Sequence, residues 1–270
     1  IPKQYTCKTQ FLNLVFSFDD MLPHERQELI LRKIETNGMV KSIQLAKEFK
    51  VTNETIRKDL EALANDKHII RLHGGATRVS DTRYDLPLPA RQAVNRYEKS
   101  IVAHEATKLI EPKATVFLDA SSTVLMMTEF LPKVPLTVLT NAHHVIVALG
   151  GKTHCNLICT GGNYEEKSRS YVGAMAEDSL KRYVIEWLFM GVDGLHHDLG
   201  ASEVNPGQAV LKERLIPRAQ NVCIVCDSSK LGKKSPFIFA SVRKIDYLIT
   251  DDKADEAQLN LFRSENIKII

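Results

Sequence analysis

Three groupings of residues in this 270-residue chain have types and spacings suited to chemistry. The first is Ser121-Ser-Thr123, which follows the apolar run Thr115-Val-Phe-Leu-Asp119 and precedes the helical stretch Val124–Leu131. A strand, a hydroxyl-rich turn and a helix N-terminus offer hydroxyls, free backbone N–H groups and the positive end of the helix dipole to an anion such as phosphate. The same residue types also serve as ordinary helix caps. The second is Thr52-Asn-Glu-Thr-Ile-Arg-Lys58, polar residues at the start of a helix, where Asn and Arg side chains have the forked geometry that reads base edges. The third, Cys223-Ile-Val-Cys226, has the spacing of a metal or redox pair, yet it lies inside Asn-Val-Cys-Ile-Val-Cys-Asp, which reads as a buried strand.

Other metal candidates are weaker. His143-His144 and His196-His197 are adjacent pairs with no carboxylate seen at ligand spacing and read as loop residues. The five cysteines (Cys7, Cys155, Cys159, Cys223 and Cys226) form an odd set without a secretory signal, which argues against a disulfide framework and fits a reducing cytoplasm. The expectation is a protein with no metal and no cofactor.

The elements that must position the N-terminal group follow from helical spacing. Pro23 suits a helix start and Asn37-Gly38 a stop, so a first helix is expected over about His24–Thr36, with Leu29, Ile30 and Ile34 inward. Ser42 is expected to cap a short helix through Ile43, Leu45, Ala46 and Phe49, ending in the turn Lys50-Val51. Thr52 is expected to cap a third helix, Asn53–Asn65, with Ile56, Leu60 and Leu63 on one face and Asn53, Glu54, Arg57 and Lys58 on another. Two helices joined by so short a turn make a helix-turn-helix, whose second helix enters the major groove. Its Asn53, Arg57 and Lys58 would face bases or backbone, with Thr52, Thr55 and the helix N-terminus on the phosphates and Ser42 also at the DNA interface. Lys67–Val79 then forms two apolar-alternating stretches around Gly74-Gly75, a hairpin wing that sets Lys67, Arg71, His73 and Arg78 against the DNA backbone.

Charge placement supports this. Between His24 and Ser80 there are eleven Lys or Arg against eight Asp or Glu, whereas the remainder carries 25 of each sign, so the chain's entire net charge of +3 lies in the segment assigned to DNA. The competing reading of that face is a charged module that binds protein.

Beyond the helices, Pro-interrupted polar sequence reads as a connection, and short apolar runs recur at Thr115–Leu118, Leu136–Leu139, Leu157–Cys159, Trp187–Met190, Val222–Val225 and Tyr247–Ile249 with helical stretches between several of them. That alternation predicts the α/β class, with a mostly parallel sheet covered by helices and ligands at the carboxyl ends of its strands. Those ends carry Asp119–Thr123, Thr140-Asn141, Gly161-Gly162, Gly191–Gly194 and Asp227–Lys230. Four segments are therefore expected: residues 1–20, which precede a natural-looking start at Met21 and are expected to be non-native or disordered; a winged helix-turn-helix over 21–80; a linker over 81–96; and a sensor domain over 97–270. No run of about 18 apolar residues occurs, so no membrane span is expected.

Val51-Thr-Asn-Glu-Thr-Ile-Arg-Lys-Asp-Leu60 followed by Arg71-Leu-His-Gly-Gly-Ala76 resembles the signature of DeoR-type regulators, in which V-S-x-x-T-I-R-R-D-L precedes R-x-H-G-G. Thr52 stands for the usual Ser and Lys58 for the usual Arg; a cap and a charge are kept, but the arginine fork is lost. The loops of the larger domain resemble the effector domain of the same family, related in fold to phosphosugar isomerases, so the resemblance spans Met21 to Ile270. Leu118–Leu125, Leu188–Gly194 and Asp227–Pro236 look closest to the glucitol (sorbitol) operon repressors, with Ser121 replacing a usual Gly.

The resemblance implies a cytoplasmic repressor of a sugar or sugar-alcohol operon. It would act as a dimer or tetramer on operator DNA and be induced by a phosphorylated sugar. It implies that Ser121, Ser122 and Thr123 hold the phosphate and that Asp119, Asn141, Gly162, Asp193 and Lys230 line the rest of the ligand. The alternative is a phosphosugar isomerase fused to a DNA-binding module. Asp193 could act as a base, but Leu195–Gly207 contains no Lys or Arg, so the lysine such an enzyme needs is expected to be absent.

Overall fold

The computed structural model describes residues 21–37, 39–65, 69–72, 74–78 and 87–270, so the expectations for residues 1–20, Lys67 and His73 lie outside the described residues. The chain forms two compact units, residues 1–79 and 80–270.

In the first unit, α1 (Pro23–Asn37), β1 (Met39–Lys41), α2 (Ser42–Glu48), α3 (Asn53–Asn65), β2 (Ile69–Leu72) and β3 (Gly75–Arg78) follow one another. The three strands form an antiparallel sheet in the order β1-β3-β2. The hairpin of β2 and β3 is the expected wing; β1 is an addition to it. A strand of three residues beside a helix-stop signal has no periodicity to announce it. It also corrects the cap of α2, because Ser42 is already helical and Lys41, the last residue of β1, stands at the N-cap with no side-chain hydrogen bond. The Ser42 N–H donates to the Gly74 carbonyl at 2.7 Å instead. Gly75 is fixed by this pairing, since a Cβ there would lie 2.0 Å from the Val40 carbonyl oxygen. Ile30, Ile34, Leu45, Phe49, Ile56, Leu60, Leu63 and Ile69 close the core.

The second unit opens earlier than the expected end of the linker, with α4 (Leu88–Ala93) and α5 (Arg96–Thr107). Leu88 and Ala90 are buried, so the segment read as a connection contains a helix packed into this unit. Prolines at 87 and 89 read as breakers in sequence, but they sit at the N-cap and in the first turn, where a missing N–H leaves no helical bond unmade.

Then come β4 (Thr115–Leu118), α6 (Ser122–Phe130), β5 (Leu136–Thr140), α7 (His143–Leu149) and β6 (Cys155–Cys159). A small hairpin of β7 (Asn163–Glu165) and β8 (Ser170–Val172) leads through α8 (Ala174–Ser179) to β9 (Ile185–Met190). After it come β10 (Gly194–His196), β11 (Gly200–Glu203), α9 (Pro206–Leu215) and β12 (Ala219–Val225). The chain ends with β13 (Phe237–Ala240), β14 (Tyr247–Ile249), α10 (Glu256–Ser264) and β15 (Lys268–Ile269).

Seven strands form one sheet in the order β15-β14-β12-β9-β4-β5-β6, and every pairing in it is parallel. Such a sheet needs cover on both faces. Val116, Leu118, Val138, Phe189, Cys223 and Val225 pack under Val102, Ala106, Val124, Met127 and Val145 of α5, α6 and α7. Phe117, Leu139, Leu188, Met190, Val222 and Ile224 pack on the other face under Leu211, Leu215, Leu259 and Phe262 of α9 and α10. Cys223 and Cys226 are both buried, and burial pushes both thiols up, as core residues rather than a reactive pair. Among the described residues no helix is long and apolar enough to cross a membrane.

Candidate functional site

Most of the residues expected to face DNA lie on α3 or at its start. Ile56, Leu60 and Leu63 turn inward, and Asp59 joins them to make a buried ion pair with Arg26. The Thr52 Oγ1 accepts the Thr55 N–H at 3.1 Å, as a cap does. Thr52, Asn53, Arg57 and Lys58 are exposed and Thr55 is half-buried. Arg57 is not idle: its Nε and Nη2 donate to the two Glu54 carboxylate oxygens at 2.8 and 2.7 Å. Ser42 is half-buried at the start of α2 and tied to the β2–β3 turn through its backbone. Arg71, on β2, has a buried Nη1 without a hydrogen-bond partner among the described residues.

In the second unit the carboxyl ends of β4 and β9 carry a buried charge cluster. Asp119 is 1% exposed; its Oδ1 accepts the Ser121 N–H and its Oδ2 the Gly191 N–H, each at 2.8 Å. Lys212 of α9 reaches the same carboxylate at 2.9 Å, donates to the Gly191 carbonyl at 2.8 Å, and pairs closely with Glu203. Burial alone would lower the Lys212 pKa, but the charges of Asp119 and Glu203 raise it above its ordinary value. Glu203 is raised by burial against the pull of Lys212. Burial would also raise Asp193, but a hydrogen bond with Glu203, the charges of Lys230 and Arg91, and the Val204 N–H at 3.0 Å outweigh it and bring it down to about 2. Burial and partners thus push these neighbouring carboxyls in opposite directions, Glu203 up and Asp193 down.

These groups border a narrow cleft of about 10 Å³ lined by Arg91, Ala120, Ser121, Ser168, Glu203, Asn205, Gln208 and Lys212. Of the hydroxyl turn, Ser121 lines it, while Ser122 and Thr123 are each 5% exposed within the first turn of α6. The Ser121 Oγ caps that helix by accepting the Val124 N–H at 3.1 Å. Its bulk, where glycine was the family expectation, is accommodated because Gly191 faces it: a Cβ at 191 would lie 2.3 Å from the Ser121 Cβ. Asn141 is fully buried, donates to the Tyr171 carbonyl at 3.0 Å and to Gln208 Oε1 at 3.2 Å, and leaves its own Oδ1 without a partner among the described residues. Lys230 stands 3.9 Å from Asp193. Gly162 is accounted for by packing, since it has φ +114° and a Cβ there would meet the Val172 carbonyl oxygen at 2.7 Å.

Sequence reading missed Arg91, Ser168, Glu203, Asn205, Gln208 and Lys212. A signal existed for three of them: Asn205-Pro206 is a helix start, and Gln208 and Lys212 stand four residues apart beside the apolar Leu211 and Leu215, two polar groups on an inward face. A lysine does stand beside these carboxyls, since Lys212 lies just beyond Leu195–Gly207 and pairs with Asp119 and Glu203. Likewise Asp198 supplies the carboxylate not seen beside His196-His197, and the ligand atoms of these three consecutive residues lie within 4.8 Å of one another.

Comparison with known proteins identifies both units. Residues 26–82 match the DeoR-like helix-turn-helix domain and residues 94–252 the DeoR C terminal sensor domain. The chain is 35% identical to the uncharacterized HTH-type transcriptional regulator YulB of Bacillus subtilis, over 92% of this chain and 96% of that protein. It is 34% identical to the L-fucose operon activator of Haemophilus influenzae over 84% and 91%, and 30% identical to a putative aga operon transcriptional repressor of Escherichia coli O157:H7 over 91% and 93%. Among solved structures it is similar to ribose 5-phosphate isomerase A of Methanocaldococcus jannaschii, with a TM-score of 0.39 and 17% identity over 51% of this chain and 55% of that one. With a helix-turn-helix whose motif residues sit on an exposed α3, a parallel-sheet sensor unit, and similarity along nearly its whole length, the chain belongs to the DeoR family of transcriptional regulators.

Proposed function

We propose that the chain is a cytoplasmic, homo-oligomeric repressor of a sugar or sugar-alcohol operon, with residues 21–80 on operator DNA and a phosphorylated sugar as inducer. The observation that carries the sensor half is the cleft beside Ser121. It combines a helix N-terminus, cationic Arg91 and Lys212, and carboxyl and amide groups of the kind that hydrogen-bond a polyol. The hydroxyl turn Ser121–Thr123 takes the phosphate, with Asp119 holding that turn in place through the Ser121 N–H. Asn141, Asp193 and Lys230 face the hydroxylated end. Relatives named for L-fucose and aga operons support sugars as the class and leave the sign of regulation to experiment.

An isomerase reading draws on Lys212 between Asp119 and Glu203. Its ammonium has three protons and three acceptors, Asp119 Oδ2, the Gly191 carbonyl and Glu203 Oε1, so each donor is committed to holding the cluster together. A proton-transfer role would need one of them free, which favours sensing.

The test is fluorescence anisotropy on DNA from upstream of the chain's own operon, with a panel of sugar phosphates beginning with glucitol 6-phosphate, each beside its free sugar. Release by one phosphate and not by its free sugar is the expected result. DNA binding that no phosphate alters would remove the effector assignment.

A further inference from the structure

Helix α4 brings Arg91 to the cleft, and the guanidinium there is unsatisfied: its Nε and one Nη are buried without an acceptor among the described residues. A buried charged donor with nothing to bind is an unfavourable state that an anion relieves. Two more buried groups, just after the carboxyl end of β5, are unsatisfied. Among the described residues the Asn141 Oδ1 lacks a donor and both ring nitrogens of His144 lack partners. His144 lies near enough to Arg91 and Asp119 to feel both charges. One guanidinium, one amide oxygen and one imidazole match a ligand that carries an anion next to hydroxyls.

The place of Arg91 in the chain is as informative as its chemistry. Only nine residues separate the end of β3, the last strand of the helix-turn-helix unit, from the start of α4. That helix is held at both ends: the Leu88 N–H donates to the Lys167 carbonyl at 3.0 Å, and the buried Lys99 ammonium donates to the carbonyls of Arg91 and Val94 at 2.6 and 2.5 Å. α4 is thus fixed within the second unit, at the point in sequence where the chain arrives from the DNA-binding unit.

We propose that Arg91 grips the anion of the effector and, through α4, passes occupancy of the cleft to the DNA-binding unit. This rests on the phosphosugar reading above and adds a residue and a route to it. The ligand acts because it binds better to the arrangement in which Arg91 points into the cleft, and differential affinity is all that can drive such a switch.

The experiment uses the full chain, with inorganic phosphate and glucitol 6-phosphate as probes. Probe affinity is read by calorimetry, and DNA affinity with and without probe by anisotropy. The parent is expected to bind a probe and to change its DNA affinity at least tenfold. Arg91→Gln is expected to lose probe affinity at least 30-fold, and Arg91→Lys, which keeps the charge without the fork, to recover part of it. A chain with six Gly/Ser residues inserted after Asp81 is expected to bind probe within threefold of the parent while its DNA response disappears. Parent-like probe binding by Arg91→Gln would overturn the anion contact and leave the phosphosugar reading standing. A parent-like DNA response in the insertion chain would overturn the relay. A parent that binds neither probe would remove the phosphosugar reading and this proposal with it.

Discussion

Arg26 and Asp59 are 33 residues apart in sequence, yet two hydrogen bonds of 2.5 and 3.1 Å join them inside the helix-turn-helix unit, with both side chains at most 7% exposed. Asp59 belongs to the family motif on α3, but it is buried beneath the helix with Ile56, Leu60 and Leu63. Gln27 adds a third donor to it at 3.4 Å.

Removing one partner of this pair leaves a buried charge alone. Asp59→Ala is expected to destabilise the first unit by about 3–5 kcal/mol, whereas the joint change Arg26→Met with Asp59→Leu costs much less. Urea denaturation followed by circular dichroism on the three proteins measures this; equal losses would contradict it.

On α3, Arg57 and Lys58 are expected to separate into two behaviours. Arg57→Ala relaxes discrimination at one operator position by about 1–3 kcal/mol, while Lys58→Ala weakens all sequences alike and lowers the salt slope by about 1. Titrations at several salt concentrations against a set of single-base operator variants distinguish them.

Gly191→Ala places a Cβ against Ser121 and is expected to cost about 1–3 kcal/mol through overpacking. Adding Ser121→Gly removes the opposing side chain and restores most of that loss. Melting temperatures of the single and double variants give the coupling directly, and independent effects would show that the contact does not limit the fit.

Effector response is expected to fail in the double variant Ser122→Ala, Thr123→Ala, read as the ratio of DNA affinities with and without the inducing phosphate. A ratio equal to the parent's would take the phosphate away from the hydroxyl turn.

His144 gives a pH dependence. Burial brings its pKa down to about 4, helped by the charge of Arg91 and opposed by Asp119. The unfolded chain therefore binds a proton below pH 6.5 that the folded chain refuses until about 4, so the stability tied to the neutral ring is present above 6.5 and lost as pH falls through that window. The loss is about 3 kcal/mol, and His144→Leu should flatten that part of the curve. Melting temperature against pH for both proteins is the check.

Both the helix-turn-helix and the parallel sheet were readable from periodicity, because Ile56, Leu60 and Leu63 recur with the helical period and the central strands are continuous apolar runs. β11 was not, although all of Gly200-Ala-Ser-Glu203 is buried, because a short strand with polar residues inside reads as a loop. α4 was hidden by its prolines. The site was half readable: the loops after β4 and β9 announced themselves through small and acidic residues. Glu203 and Lys212 gain their meaning only when β11 and α9 fold back against Asp119, a contact no local pattern encodes.

The clasp between Glu54 and Arg57 bears on how this protein searches a genome. A recognition helix that arrives with its arginine already held by a carboxylate meets DNA with an internal competitor in place. Were Arg57 to read a base, a wrong sequence would offer the guanidinium only the phosphate field, against which Glu54 competes, while guanine would offer two aligned acceptors able to displace it. Glu54 would then act as a selectivity filter, with the operator as the place where the arginine changes hands.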